Sequence, residues 1–298
     1  MKKIQFLALA AMTLALGACN NDDDMVVTGE KITVDASIGT MTRVTTIGNA
    51  SSFEANDQIS VYAWTGAADE VPADRVVDGA VNTYDGTKWT ATPQMLWADM
   101  VTEHYFLAVY PSHTITDFKA DPYTLDVDNQ MTSNLLIAVN NGGLKAQNNP
   151  VQLTFDHAMA KLVVNLHFRN QWGKTPEITS VVLEGYTEAT VDYMAKTVTG
   201  TETGKIALKE ATAAENFELA YSSIVIPSTD TRTIVITIDG DEYIYSHPEY
   251  IPLKSGQFTT INLNVGRDAI TFDNVTINEW ESQGDAINGE AQNNIVNE

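Results

Sequence analysis

The chain has 298 residues, of which 44% are hydrophobic, and its 39 acidic and 17 basic side chains give a formal net charge of -22 at pH 7. A chain this acidic lacks the basic footprint that nucleic acid recognition needs, so nucleic acid is excluded as a partner. The hydrophobic content suffices for a packed core, and the acidity therefore does not indicate disorder. The length suits one large domain or two ordinary ones.

The N-terminus has the pattern of an export signal. Two lysines follow Met1, and an apolar run then extends over residues 4–18 before the first acidic residues. This run is shorter than the roughly 20 residues that a membrane-spanning helix needs, and its basic start and small-residue end are typical of a secretory signal peptide. We therefore expect residues 1–18 to be removed on export.

Cys19 is the only cysteine, and it follows Leu16-Gly17-Ala18 directly. These four residues resemble the lipobox of bacterial lipoproteins, in which the cysteine is acylated and becomes the first mature residue; an ordinary signal peptide with a chance cysteine is the alternative. One acyl chain binds membranes only marginally, but lipoprotein acylation supplies three. We expect Cys19 to anchor the chain to the outer membrane, and the acidic stretch 20–24 is similar to a surface-export signal.

The rest of the chain is a series of short alternating or β-branched runs, typical of antiparallel sandwiches rather than of a parallel α/β sheet. Asp85-Gly86 and Asp239-Gly240 lie between such runs and indicate hairpin turns, whereas residues 207–214 favour a short helix. The predicted strands are Lys31–Ile38, Gln58–Trp64, His104–Tyr110, Leu135–Val139, Val151–Phe155, Lys161–Phe168, Ser180–Leu183, Ile224–Ile226, Thr233–Ile238, Glu242–Tyr245, Phe258–Val265 and Val275–Trp280.

The first of these strands has a two-residue period. Its apolar residues fall on one face and its polar residues on the other, as a half-buried strand requires. The segment "GTMTR" follows and ends at Arg43, before Val44, which places an arginine in an exposed loop. The apolar residues of the strand are Ile32, Val34, Ala36 and Ile38.

Two features organise the middle of the chain. Residues 140–150 are polar and lack a strand pattern, so we expect a loop between an N-terminal domain, 44–149, and a C-terminal domain, 150–298. In "VQLTFDHAMAKLVVNLHF" the apolar residues then move from odd to even positions. Such a change of phase turns every side chain to the other face, so a bulge or kink is expected at His157–Ala160, with a structural role for His157.

The sequence singles out no set of residues for catalysis or metal binding, and a secreted hydrolase that uses a pair of its 39 carboxylates is the third and least favoured interpretation. The nucleophile-elbow, zinc-protease and phosphate-loop motifs are missing, the five histidines lack metal-ligand spacing, and the segment from Asp126 fails the calcium-loop pattern at Met131 and Ile137. We therefore expect neither an enzyme nor a cofactor. The five tryptophans leave open a glycan-binding lipoprotein of a polysaccharide-uptake system, although a core role is the default for tryptophans in strands.

Several stretches in order resemble the fimbrillin family, the lipoprotein pilins of Bacteroidetes-type bacteria. They are Thr42-Arg43, "FEANDQISVYAW" (53–64), "YFLAVYP" (105–111), "NLLIAV" (134–139), "VQLTFDHAMAKLVVNL" (151–166) and "SGQFTTINLNVGRDAI…VTINEW" (255–280).

The resemblance implies two transthyretin-like β-sandwich domains in tandem and assembly into adhesive surface fimbriae with other subunits. It also implies that residues 19–43 are a propeptide, removed by an arginine-specific protease between Arg43 and Val44. Loss of the first strand would leave a groove for a strand of another subunit, the donor-strand mode of assembly.

The C-terminus departs from the pattern of shaft subunits, which carry an apolar extension. The tail after Trp280 is polar and does not alternate, which favours a tip or accessory role. If this chain donates a strand, the side chains would have to come from Ile270, Phe272, Val275, Ile277 and Trp280. The sequence does not indicate a host or bacterial receptor.

Overall fold

The computed structural model describes residues 29–39, 52–128, 132–279 and 287–288. Cys19, Arg43, Val44 and Trp280 lie outside this part of the chain. The fold is nearly all β, as predicted. The strands are β1 (Val34–Ile38), β2 (Gln58–Thr65), β3 (Val77–Tyr84), β4 (Trp89–Thr92), β5 (His104–Tyr110), β6 (Asp121–Thr124), β7 (Leu136–Leu144), β8 (Val151–His157), β9 (Ala160–Phe168), β10 (Ile178–Asp192), β11 (Thr197–Ala207), β12 (Lys209–Ala211), β13 (Leu219–Val225), β14 (Thr233–Ile238), β15 (Asp241–Ser246), β16 (Gln257–Val265), β17 (Ile270–Glu279) and β18 (Ile287–Asn288), with 3-10 helices at Ala146–Asn148 and Asn170–Trp172.

The strands form three sheets. The first has the order β1-β8-β7-β5-β2-β3-β4, the second has the order β11-β10-β14-β15 with β6 also paired to β10, and the third has the order β12-β13-β9-β16-β17-β18. Neighbouring strands are antiparallel except for two pairs, β1 with β8 and β9 with β16, which are parallel.

The first sheet curls so that its two margins meet. Lys31, just before β1, forms an antiparallel bridge with Leu96, just after β4. The interior of the curled sheet is a hydrophobic cluster to which all seven of its strands contribute, and which includes Ile59, Phe106 and Phe155, each 0% exposed. We call this cluster the N-terminal core.

The second and third sheets share another core. Alternate residues of β9 and β16 from one sheet, and of β10 and β14 from the other, belong to a single buried cluster. The outer face of the first sheet also joins this cluster through Trp64 and Leu107. The described chain is therefore a curled sheet packed on a sandwich.

The predicted change of phase is confirmed at the junction between β8 and β9. Buried and exposed residues alternate strictly along β8, and β9 starts a new phase after a break at residues 158–159. The break is tied to other segments by hydrogen bonds from the Ala158 N–H to the Leu135 carbonyl, 2.9 Å, and from the Gly256 N–H to the Met159 carbonyl, 2.9 Å. One continuous stretch thus passes from the first sheet into the third.

The expected loop at 140–144 and the expected helix near 207–214 are wrong, whereas the two predicted hairpin turns are confirmed. Residues 140–144 are not a loop but the second half of β7, which pairs with β5 across a register shift. Residues 209–211 are a short strand on β13 rather than part of a helix, because pairing overrides the weak local preference for helix. Asp85-Gly86 and Asp239-Gly240 do connect paired strands, and three of these four turn residues have a positive φ.

The predicted division of the chain at 149 and 150 stays a prediction. β8 belongs to the first sheet, so the change of sheet along the chain falls at residues 158–159. In the other direction, β6 leaves the first half of the chain to pair with β10 of the second sheet.

Candidate functional site

The segment from Ile32 to Ile38 is the strand that the two-residue period predicted. Ile32, Val34 and Ile38 are 1%, 6% and 4% exposed and belong to the N-terminal core, with Ala36 half-buried against it. The intervening Thr33, Asp35 and Ser37 are exposed. Burial of three branched aliphatic side chains contributes roughly 1.5–3 kcal/mol each.

One side of β1 is bonded to β8. The register is parallel over five residues, from Val34 opposite Val151 to Ile38 opposite Phe155. The ladder includes hydrogen bonds from the Val151 N–H to the Thr33 carbonyl, 2.8 Å, and from the Gly39 N–H to the Phe155 carbonyl, 2.9 Å.

The other side of the segment is bonded to the opposite margin of the sheet. The Ile32 N–H donates to the Met95 carbonyl at 3.0 Å, and the Trp97 N–H donates to the Glu30 carbonyl at 2.9 Å. The first strand therefore fills a slot between β8 and residues 95–97, which we call the strand groove. Its removal would open the curled sheet and leave backbone groups unpaired on both walls.

Asn149 extends the β8 wall of the strand groove. Its side-chain oxygen accepts from the Thr33 N–H at 2.9 Å and from the Thr33 hydroxyl at 3.1 Å. Its side-chain nitrogen donates to the Lys31 carbonyl at 3.0 Å. These bonds cross 116 and 118 residues of sequence, and the 140–150 segment was predicted only as a loop.

β8 itself is only weakly joined to its other neighbour. β7 and β8 pair at two positions, Leu136 with His157 and Ile137 with Asp156, and then diverge. A cavity of about 200 Å³ lies where they part, lined by β7, β8 and Lys196. Lys196 Nζ closes one side of it with a 2.7 Å ion pair to Asp156. β8 is therefore paired with β1 over more positions than with β7.

A loop held by hydrogen bonds to Asp99 follows the strand groove at residues 98–103. The Asp99 carboxylate accepts from the N–H groups of Val101 and Thr102 and from the Thr102 hydroxyl, and these bonds lower the pKa of Asp99 to about 2. The turn presents Met100 and Val101 outward, 53% and 75% exposed.

A polar network that the sequence did not reveal joins the first sheet to the sandwich. Tyr193 lies at the end of β10, and its hydroxyl is 2.8 Å from His113 Nε2 and 3.1 Å from Asp121 Oδ2. Asp121 also accepts from the Thr116 N–H at 2.9 Å. Burial, together with the nearby Asp121 charge, raises the pKa of Tyr193, so the hydroxyl stays protonated and can donate to Asp121.

The suggested donor residues lie in β17, which is part of the third sheet. Ile270 is 3% exposed in the sandwich core, and Phe272 and Val275 pack against that core. β17 pairs with β16 over nine positions. Ile277, the remaining described candidate, is paired with Thr259 in this ladder.

The described tryptophans do not form a surface platform. Trp64, Trp89 and Trp97 are 0%, 8% and 3% exposed, and Trp172 packs half-buried against the sandwich core. Within residues 29–39, 52–128 and 132–279 there is no group of three or more histidine, cysteine or acidic side chains placed to hold a metal ion. Neither helix in the described ranges is long and apolar enough to cross a membrane.

Comparison with solved structures finds similar all-β folds in proteins of several Bacteroides species. A candidate cell adhesion protein from Bacteroides ovatus matches with a TM-score of 0.67 at 17% identity, covering 86% of this chain and 99% of that one. A similar protein from Bacteroides uniformis gives 0.61 at 16% identity, with 84% and 99% covered. A fimbrial protein from Bacteroides vulgatus gives 0.54 at 14% identity, with 83% and 99% covered. At these identities the likeness concerns the fold.

The sequence itself gives the family. The fimbrillin-like family model matches residues 42–280, which is most of the chain. The chain therefore belongs to the fimbrillin-like family, as the resemblance of its motifs implied. A search of curated proteins found no match.

Proposed function

We propose that this protein is a non-enzymatic subunit of surface fimbriae, or an adhesin associated with them, and that it acts in cell adhesion. It is exported by its signal peptide and held at the outer membrane by lipid on Cys19. An arginine-specific protease then cuts between Arg43 and Val44, which releases residues 19–43 with the first strand. Assembly follows when a strand from another subunit enters the strand groove.

The observation that supports this proposal most is the position of the first strand. The strand is short, and it closes a curled sheet by bonding to β8 on one side and to residues 95–97 on the other. An uncovered groove of this kind is a template for β-augmentation. A head-to-tail contact between copies does not close on itself, so it propagates as a filament.

A tip or accessory role fits better than a shaft role. β17 carries Ile270, Phe272, Val275 and Ile277, and it is already paired along its length with β16. The sequence after Trp280 is polar. Such a chain is better suited to accept a strand than to donate one.

The proposal is tested on fimbriae isolated from cells that express the protein. An antibody against the chain should label them, and the N-terminus of the labelled protein should be Val44. Arg43→Ala should leave the protein in the membrane fraction and unassembled, whereas Arg232→Ala, which changes an exposed arginine just before β14, should assemble normally. Unlabelled fimbriae, or normal assembly of Arg43→Ala, would contradict the proposal.

The glycan-binding alternative gains no support from the tryptophans, because all four in the described ranges are buried or half-buried. Retention of the purified protein on immobilised polysaccharide would favour it.

A further inference from the structure

Among the described residues of the groove, Asn149 alone forms a hydrogen bond with a side chain of the first strand. The bonds from Met95, Trp97 and β8 reach only the main chain of the strand. Asn149 Oδ1 also accepts the side-chain hydroxyl of Thr33, at 3.1 Å. Main-chain bonds form with any sequence, whereas a hydroxyl bond forms only with serine or threonine at that position.

The side chain of Asn149 also bonds the main chain of the strand, and these bonds fix where the hydroxyl must lie. Its carboxamide bonds the N–H of Thr33 and the carbonyl of Lys31, which flank Ile32. In a parallel ladder one residue bonds the two groups that flank its partner, so the side chain of Asn149 takes the place of one more residue of β8. The next bond, from the Val151 N–H to the Thr33 carbonyl, continues the same ladder.

The buried positions set the rest of the pattern. Ile32 and Val34 lie on either side of Thr33, and both point into the N-terminal core, as Ile38 does four residues beyond Val34. A strand in the groove therefore needs apolar residues at these three positions. Asp35 and Ser37 are exposed and leave their positions open to many residues.

We propose that the strand groove selects a strand of another chain by its sequence. This strand runs parallel to β8 and has apolar residues at the positions of Ile32, Val34 and Ile38, with serine or threonine at the position of Thr33. Asn149 is the residue that determines this specificity. The inference deepens the proposed function and rests on it, since it names the chemistry of the strand that replaces β1.

The test exchanges the first strand for synthetic peptides. The chain is expressed without residues 1–18 and with a specific protease site in place of residues 41–46, and it is cut there so that the first strand stays bound without a covalent link. A fluorescent peptide of residues 29–39 is then added, and its binding is followed by anisotropy. Peptides with Thr33→Ser, Thr33→Val and the reversed sequence compete against it.

Loss of one hydrogen bond to a polar partner weakens binding by about 3- to 10-fold. We expect that loss for the Thr33→Val peptide on the unchanged protein, little change for Thr33→Ser, and no competition by the reversed peptide. On Asn149→Ala the Thr33 and Thr33→Val peptides should bind alike. Gln152→Ala, a matched control whose exposed side chain bonds to Pro150, should keep the preference.

Equal binding of the Thr33 and Thr33→Val peptides to the unchanged protein would overturn the inference. So would a preference that survives in Asn149→Ala, or a first strand that no peptide displaces. The proposed function fails by a different result: the hydroxyl preference is found, but the protein is absent from isolated fimbriae.

Discussion

The first strand and the last long strand are both near sheet margins, but they are held very differently. β1 pairs with β8 over five positions and reaches its other neighbour through a single bridge at Lys31. β17 pairs over nine positions with β16 and two with β18. The side chain of Asn262 also donates to Asn274 across that ladder. β1 is an edge strand that joins the two margins of the first sheet, whereas β17 is paired along its length within the sandwich.

The largest effect should come from deleting each strand in turn. A chain ending at Asp268 loses β17 and uncovers the sandwich core at Leu263 and its neighbours, so it should lose cooperative unfolding of the sandwich. A chain starting at Val44 lacks β1 and should keep that transition. Circular dichroism melts, together with hydrogen exchange over β9 and β16, check this; similar damage by the two deletions would refute the comparison.

Two matched isoleucines sharpen the comparison at single residues. Ile38 in β1 and Ile270 in β17 are 4% and 3% exposed. Ile270→Ala should lower the free energy of unfolding by about 2–5 kcal/mol, the usual range for a large-to-small change in a core. Ile38→Ala should instead raise the local opening of β1, because that strand can detach before the rest unfolds.

Hydrogen exchange read by mass spectrometry separates the two cases. Ile38→Ala should speed exchange in residues 32–38 and leave β16 protected, whereas Ile270→Ala should speed exchange throughout the third sheet. Faster exchange across the whole chain in Ile38→Ala would show that β1 does not open separately.

His157 lies where the chain passes from one region to the other, and it should make that junction sensitive to acid. Burial lowers the pKa of His157 to about 4, below its ordinary value of 6.5. Between pH 6.5 and 4 the unfolded chain therefore takes up a proton at His157 that the folded chain does not. The free energy of unfolding is accordingly unaffected by this group above pH 6.5 and decreases as the pH falls through this window. The loss amounts to about 3 kcal/mol.

The measurement is the free energy of unfolding in urea at several pH values. His157→Gln should remove most of the slope between pH 6.5 and 4, and His167→Gln, a change at an exposed position, should not. His104 and His247 also have pKa values lowered by burial, so a shallow slope should remain in His157→Gln. An unchanged slope in that variant would contradict the assignment to His157.

The polar network between the regions should contribute less. Tyr193→Phe leaves His113 and Asp121 without the hydroxyl that joins them, and loss of a buried hydrogen-bond partner costs about 1–3 kcal/mol. Tyr186→Phe is the control, since the hydroxyl of Tyr186 bonds Asp230 at the surface. Equal stability of Tyr193→Phe and Tyr186→Phe in urea unfolding would show that the network does not hold the regions together.

The sequence predicts what depends on local period, and it misses what depends on distant partners. The alternation of Ile32, Val34 and Ile38 and the change of phase after His157 are visible because each strand has one buried face. Residues 140–144 carry no such pattern, since that half of β7 is polar and is a strand only because β5 pairs with it.

The same limit applies to the candidate site. The apolar residues of the first strand were predictable, but the groove around it was not. Its walls come from residues 95–97 and from Asn149, which are brought together only when the sheet curls. An asparagine directly before a proline is typical of a turn, and the bonds of Asn149 to Thr33 and Lys31 span more than a hundred residues. The Asp121, His113 and Tyr193 network is hidden for the same reason.

The smallest effect concerns the ion pair between Lys196 and Asp156, which joins the turn after β10 to the end of β8. Both side chains are partly exposed, 31% and 58%, at 2.7 Å, and pairs of this kind contribute about 0.2–1 kcal/mol and are screened by salt. Because Lys196 has a φ of 55°, the suitable variant is Lys196→Asn, which tolerates the left-handed conformation. A double-mutant cycle with Asp156→Asn should give a coupling in that range at low salt and almost none at 1 M salt. A larger coupling that persists in salt would mean that the pair locks β8 to the sandwich, and the wall of the strand groove would then be rigid without β1.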